Sequence, residues 1–146
     1  MRSLTLALSM IASLATSACV AVDGGAVEVG WDLRFPDGRR TDDSGDSISC
    51  GKTGLAQMAL VLTPVDGGSD PCATIESCRF PCSSQGVGTT DFQIPPAEYA
   101  ISLEVLDSGG TPQGPESGIV SPGPVVRDVV LGQITSLNVN LIIVDR

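Results

Sequence analysis

Alternating apolar and polar residues predict three long strands after residue 25. In residues 27–35, VEVGWDLRF, every second side chain is apolar, which is typical of a strand with one face on a core. Residues 98–106 show the same period. In the last strand, 134–146, the period places one set of apolar side chains on the buried face. That set is Leu137, Val139, Leu141 and Ile143.

Shorter apolar segments predict further strands. Residues 54–62 are apolar on both faces and short, and they lie between Gly54 and Pro64, which favours a central strand. A helix is the alternative there, because Ala, Leu, Gln and Met are good helix formers. Residues 125–131 are expected to form a strand, with brief strands at 79–82 and near Ile119 and one helical turn at 73–78.

This spacing of strands and turns favours an all-β fold. Six to eight short strands separated by Gly, Pro and Asp predict an antiparallel Greek-key β-sandwich of about seven strands, in a single domain over 26–146. The loops 36–52 and 107–124 are long and rich in polar residues, Gly and Pro. Because binding residues are concentrated on such loops, these and the sheet edges are the expected interaction surfaces.

The first 18 residues have the layout of a secretory signal. Arg2 gives a positive start, residues 4–14 are largely apolar, and small residues follow up to Ala18. A membrane-spanning helix needs about 20 apolar residues, and Asp23 closes this run too early. We therefore expect a signal peptide at 1–18 and a short tether at 19–25.

The end of this signal resembles the lipobox of bacterial lipoproteins. Thr16, Ser17, Ala18 and Cys19 match its four positions, with Thr16 where the family usually has Leu. The resemblance implies cleavage before Cys19, lipid attachment to its sulfur and anchorage in the membrane. Val20 stands where an Asp would favour inner-membrane retention in that family, so the resemblance implies the outer membrane or cell surface. The alternative is an ordinary secretory signal that leaves a free thiol.

The remaining four cysteines are expected to form two disulfides. An even number of cysteines in an exported chain is typical of disulfides, and four cysteines allow three pairings. We expect Cys50–Cys82, which would tie strand ends, and Cys72–Cys78, which would close a short loop. The alternative is a zinc site, which needs thiolates in close pairs, and only Cys78 and Cys82 have such a spacing.

Charge and composition disfavour several classes of function. The chain has 17 acidic and 8 basic residues and no histidine. Its net charge of −9 and lack of a basic cluster disfavour nucleic-acid binding. The absence of histidine removes the commonest general base and metal ligand. We therefore expect no enzymatic activity and no cofactor, with an enzyme that uses acidic residues alone as the remaining alternative.

Two local motifs invite a ligand. Asp42, Asp43 and Asp46 are oxygen donors suited to Ca²⁺, although they lack the spacing of an EF-hand loop. They are the candidate residues for a calcium-binding or small-ligand function, and a solvated acidic loop is the alternative. The segment GDSISCGKT misses the spacing of a phosphate-binding loop by one residue and lies between a loop and a strand.

A second resemblance concerns the strand that begins near Tyr99. Pro95 and Pro96 precede Tyr99, and the strand runs through leucines into Asp107. This order resembles the Ig-like and transthyretin-like modules of bacterial surface proteins, including carboxypeptidase regulatory-like domains. It implies that Tyr99 packs inward. From the chain as a whole, we expect a structural or adhesive role. The expected partners are the membrane, through Cys19, and an envelope or extracellular protein.

Overall fold

The chain forms nine strands within residues 22–145, the part that this computed structural model describes. The predicted signal peptide 1–18 and its Cys19 lie outside the described residues. The strands are β1 (Ala26–Arg34), β2 (Leu55–Pro64), β3 (Arg79–Pro81), β4 (Gln85–Thr89), β5 (Ala97–Asp107), β6 (Pro112–Gln113), β7 (Ile119–Val120), β8 (Val125–Val129) and β9 (Ile134–Val144). One helical turn, α1 (Cys50–Thr53), precedes β2.

The strands form two sheets, which confirms the predicted all-β sandwich. The first sheet has the order β4-β1-β9-β7, and the second has β3-β2-β5 with β6 and β8 both paired to β5. Nine strands replace the expected seven or so, because the sequence analysis predicted neither β4 nor the two-residue β6. One pairing is parallel, that of β1 with β9, whereas the other pairings are antiparallel.

The core lies between the two sheets and is mainly aliphatic, with Trp31, Phe80 and Tyr99 as its aromatic members. The side chains with the least exposure are those of Val27, Val29, Leu33, Met58, Leu62, Ile94, Ile101, Val105, Ile119, Ile142 and Val144. Burying each such side chain stabilises the fold by roughly 1.5–3 kcal/mol before the entropy cost of folding is counted. Within the described residues, every buried side-chain nitrogen or oxygen atom has a hydrogen-bond partner.

The strand β4 was not predicted from the sequence, because its inward positions are glycines. A Cβ on Gly86 would collide with the ring of Trp31, and one on Gly88 would collide with the ring of Phe80. The two rings stack with their centroids 5.9 Å apart. The glycines therefore let β4 lie directly on an aromatic pair, and this arrangement leaves no alternation of apolar side chains to recognise.

Both expected disulfides are present. Cys50–Cys82 joins α1 to the residue after β3, and Cys72–Cys78 closes a loop that contains two 3₁₀ turns. The pairing rules out the four-thiolate zinc site. Sequence separations of 32 and 6 residues correspond, by loop-closure entropy, to about 4 and about 2 kcal/mol of stabilisation.

The inward face of β9 differs from the expected one. Asn138 has a φ of 60°, and the register of β9 against β1 shifts at this point. The extra residue is a β-bulge, which moves every later side chain to the opposite face. Leu137 is buried as expected, but beyond the bulge Ile142 and Val144 face the core while Val139 and Leu141 face solvent.

The packed region begins two residues before the predicted domain boundary at 26. Gly24 and Gly25 belong to the predicted tether, yet both are buried. Gly25 donates to the carbonyl of Ile94 and accepts from its amide, and the carbonyl of Gly24 accepts from the amide of Gly132. A Cβ on Gly25 would lie 2.5 Å from a methyl group of Val129, so the close approach of these segments requires glycine.

Tyr99 packs inward, as the resemblance to Ig-like and transthyretin-like modules implied, and it fixes the start of β5. Its hydroxyl donates to the carbonyl of Pro95 at 2.8 Å. A tyrosine that bonds back to the backbone a few residues upstream stabilises a corner of many Greek-key sandwiches. Burial and the nearby Asp70 carboxylate raise the pKa of Tyr99 above its ordinary value, so the phenol remains a donor at neutral pH.

Because of the bulge at Asn138, the same Val→Thr substitution should change the free energy of unfolding very differently at two positions of β9. Val139→Thr should change the free energy of unfolding by less than about 0.5 kcal/mol, because this side chain already faces water. Val144→Thr should lower it by about 1–3 kcal/mol, because it buries a hydroxyl in the core. Urea unfolding of both variants measures the difference. Equal losses would contradict the assignment of the two faces.

Candidate functional site

The outer face of the first sheet carries four exposed aliphatic side chains. We call Val87, Val120, Val139 and Leu141 the outer patch. Their cross-strand partners place them on one face: Gly30 lies opposite both Val87 and Val139, and Asp32 lies opposite Leu141. Val87 and Val139 are about two-thirds exposed, and the other two are about half exposed. The β-bulge at Asn138 creates this patch, because it turns Val139 and Leu141 away from the core.

Gly30 forms the floor of the outer patch. It lies in β1 between Val87 and Val139, the two most exposed valines of the patch. A Cβ on Gly30 would lie 3.2 Å from a methyl group of Val139 and 3.3 Å from the carbonyl oxygen of Asn138. The close approach of β1 and β9 around the bulge therefore favours a residue without a side chain.

A carboxylate held by two guanidinium groups borders the outer patch. Asp32 projects from the same face of β1 and is almost fully buried. Its carboxylate accepts from Arg34 at 2.7 and 2.9 Å and from Arg40 at 2.9 and 3.2 Å. The hydrogen bond from Arg40 lowers the pKa of Asp32 most, burial opposes this effect, and Arg34 lowers the pKa further. The cluster holds one net positive charge in an acidic chain.

The loop after β1 is folded back by ion pairs with its own residues. Arg39 bonds to Asp37 and, at 2.7 Å, to Asp43, and Lys52 bonds to Asp46 at 2.8 Å. The backbone amide and then the side chain of Arg39 lower the pKa of Asp37. The hydrogen bond from Lys52 lowers the pKa of Asp46.

The three calcium candidates do not converge on one point. Asp43 bonds to Arg39 and Asp46 bonds to Lys52. Asp42 accepts from the amides of Ser44 and Asp46, which closes the tip of the loop. Among residues 22–145, no three His, Cys, Asp or Glu side chains lie close enough together to hold a metal ion. The arrangement therefore favours the alternative of a solvated acidic loop.

An open depression of about 530 Å³ lies beside β3. Its charged lining residues are Glu76 and Arg79, and the rest of its surface includes Gln57, Ile75 and Phe80. Phe80 and Cys72, which also line it, are buried. It is a shallow surface feature, and its lining includes a single carboxylate.

The two ends of the sandwich are formed by different loops. The N-terminal end comprises residues 22–25, 91–96 and 130–133, which hydrogen bonds join, together with the loop 65–70 after β2. The distal end comprises residues 35–49 and 108–118. Its two loops follow β1 and β5, which both run away from the N-terminal end. The end of β9 also lies there, because Arg34 pairs with Ile143 and Ile119 pairs with Val144.

The sequence did not reveal the outer patch. The signals that point to it are an Asn within an apolar strand pattern and a Gly in the facing strand, and both also have ordinary structural roles. The predicted loops 36–52 and 107–124 lie mostly at the distal end, while residues 121–124 return along the side of the sandwich towards β8. Cys19 lies outside the described residues.

Comparisons of this chain with protein-family models, curated proteins and solved structures found no match. The function is therefore argued from the residues and their arrangement.

Within the described residues, no helix is long and apolar enough to span a membrane.

Asp32 should make the protein sensitive to acid. Its pKa is lower in the folded than in the unfolded chain, so its stabilising effect is present above about pH 4 and is lost as pH falls through the folded value. Asp32→Asn should lower the free energy of unfolding at pH 7, because it removes the charge that binds both arginines. The loss should be only about 1 kcal/mol, because water partly screens the two guanidinium groups. The deficit should shrink as pH falls below about 4, where Asp32 begins to be protonated in the unfolded chain.

Urea unfolding of the wild type and of Asp32→Asn between pH 2 and pH 7 measures this deficit. Asp66→Asn is the matched control, because Asp66 is exposed and no ion pair is formed by its side chain in the structure. A deficit that stays constant across this pH range would show that the ionised form of Asp32 does not stabilise the fold.

Proposed function

We propose that the chain is a lipid-anchored protein of the bacterial envelope, attached through Cys19 to the outer membrane or cell surface, with a binding or structural role. Its partner in this proposal is another envelope or extracellular protein. The proposal includes no catalysis, no cofactor and no nucleic acid.

The arrangement of the two ends carries the proposal. Two residues separate Cys19 from Val22, and the packed chain begins at the N-terminal end. The nine residues of β1 place the distal end roughly 30 Å away. An anchor at Cys19 would therefore hold one end at the membrane and leave the distal loops free to meet a partner.

The outer patch supports a binding role. Exposed apolar patches on soluble domains often mark interaction surfaces, and this patch exists because a bulge turns two aliphatic side chains away from the core. It lies along β1 and β9 between the two ends, so an anchor at Cys19 would not cover it. The neighbouring Asp32–Arg34–Arg40 cluster gives its rim a positive charge, which favours a partner with exposed carboxylates.

The residue content and the site geometry support a role without chemistry. The chain has no histidine, and four of its cysteines are paired in disulfides. The loop carboxylates Asp37, Asp43 and Asp46 bind cations of the same loop or of α1 rather than facing a cleft. The net charge of −9 supports the absence of nucleic acid from the proposal.

Replacing Cys19 should release the protein from membranes. Lipid attachment requires its sulfur, and several acyl chains together give stable anchorage. We expect the wild-type protein in the membrane fraction, with a mature N-terminus at Cys19 that carries the mass of a diacylglyceryl group. Globomycin, which inhibits signal peptidase II, should cause the unprocessed precursor to accumulate. The Cys19→Ala variant should appear in the soluble fraction or as precursor.

Ser17→Ala is the matched control, since it changes a neighbouring residue to one that the lipobox also accepts. It should be processed and anchored like the wild type. Mass spectrometry that finds the mature wild type with an unmodified Cys19, or cut at another residue, would contradict the proposal. Insensitivity to globomycin would do the same.

A further inference from the structure

The N-terminal end carries a second group of exposed aliphatic residues, separate from the outer patch. We call Val22, Val130, Leu131 and Ile134 the apolar tip. Each of these side chains is about half exposed. Val130 and Leu131 lie in the turn between β8 and β9, and Ile134 is the first residue of β9. Val22 lies at the start of the described chain, three residues after Cys19.

Hydrogen bonds hold this turn against the incoming chain. The amide of Gly132 donates to the carbonyl of Gly24 at 3.0 Å, and the amide of Ala26 donates to the carbonyl of Gln133 at 2.9 Å. Within the turn, the amide of Gln133 donates to the carbonyl of Val130 at 3.1 Å. The position of Leu131 relative to residues 24–26 is therefore fixed by the fold.

The distance to Cys19 limits what the apolar tip can face. Three extended residues span about 10 Å at most, so a lipid on Cys19 would hold Val22 within that distance of the membrane surface. The turn lies beside this segment and has the sequence VLGQ, which contains no charged residue, whereas the segment itself contains the exposed Asp23. The apolar tip would then lie at the depth where apolar side chains contact the acyl chains of a bilayer.

We propose that the apolar tip inserts into the lipid bilayer interface beside the anchor and holds the sandwich upright on the membrane. This inference rests on the lipid anchorage proposed above. The contact is apolar rather than electrostatic, because the chain is acidic and would be repelled by anionic lipids. A bilayer of phosphatidylcholine, which has no net charge, is therefore sufficient for it.

The contact can be measured with tryptophan as a depth probe. The chain has a single tryptophan, Trp31, which is buried in the sandwich and gives a constant background. Leu131→Trp and Ile134→Trp each add a probe at the apolar tip, and Val139→Trp adds one to the outer patch. The lipidated proteins are reconstituted into phosphatidylcholine vesicles with or without bromine on the acyl chains, which quenches tryptophan by contact.

We expect brominated lipid to remove about half of the added emission at positions 131 and 134, and almost none at position 139. Two tip positions are used so that a folding defect in one, detected by thermal melting, leaves the other to decide the question. Equal quenching at all three positions would mean that the molecule lies flat on the membrane, and this would overturn the inference.

The experiment separates failure of this inference from failure of the anchorage. Mass spectrometry of the same samples reports the lipid on Cys19. A lipidated protein with unquenched probes at 131 and 134 overturns the contact and leaves the anchorage standing. A second copy of the chain that covers the apolar tip would give the same unquenched probes, and it would overturn the membrane contact in the same way. A protein without lipid on Cys19 overturns both proposals.

Discussion

The β-bulge at Asn138 is the constraint on which the surface of this protein depends. A left-handed residue within β9 adds one position against β1, and the side chains beyond it exchange faces. Asn accepts this conformation more readily than most residues with a side chain. The exchange places Ile142 and Val144 in the core and turns Val139 and Leu141 to solvent. The facing Gly30 gives β9 the space that it needs there.

The bulge also determines which side chains of β9 lie beside the Asp32 cluster. Leu141 and Ile143 pair with Asp32 and Arg34, so an aliphatic row lies next to a partly buried ion-pair cluster on the outside of the sheet. Arg40 returns from the loop after β1 to complete the cluster. Through Arg40, one loop of the distal end is tied to the sheet face that carries the outer patch. Patch and loop therefore form a continuous surface, separate from the N-terminal end.

The sequence predicted the parts of the fold that depend on local pattern. Alternation identifies β1 and β5, and the fold class and both disulfide pairings are confirmed. The inward face of β9 was wrong beyond Leu137, because one backbone angle at Asn138 overrides a regular alternation. The strand β4 was missed because Gly86 and Gly88 are required by the rings of Trp31 and Phe80, which are distant in sequence. The outer patch could not be predicted, since it depends on the bulge at Asn138 and on the placement of β4, and the alternating pattern shows neither of them.

The central claim is that the sandwich is held by one end and presents the other. Neutron reflectometry of the lipidated protein on a supported phosphatidylcholine bilayer tests this directly, because it measures the thickness of the protein layer. An upright sandwich, with strands of up to 11 residues and loops at both ends, should give a layer roughly 40 Å thick. A layer of roughly 25 Å, the thickness of two stacked sheets with their outer side chains, would contradict the account.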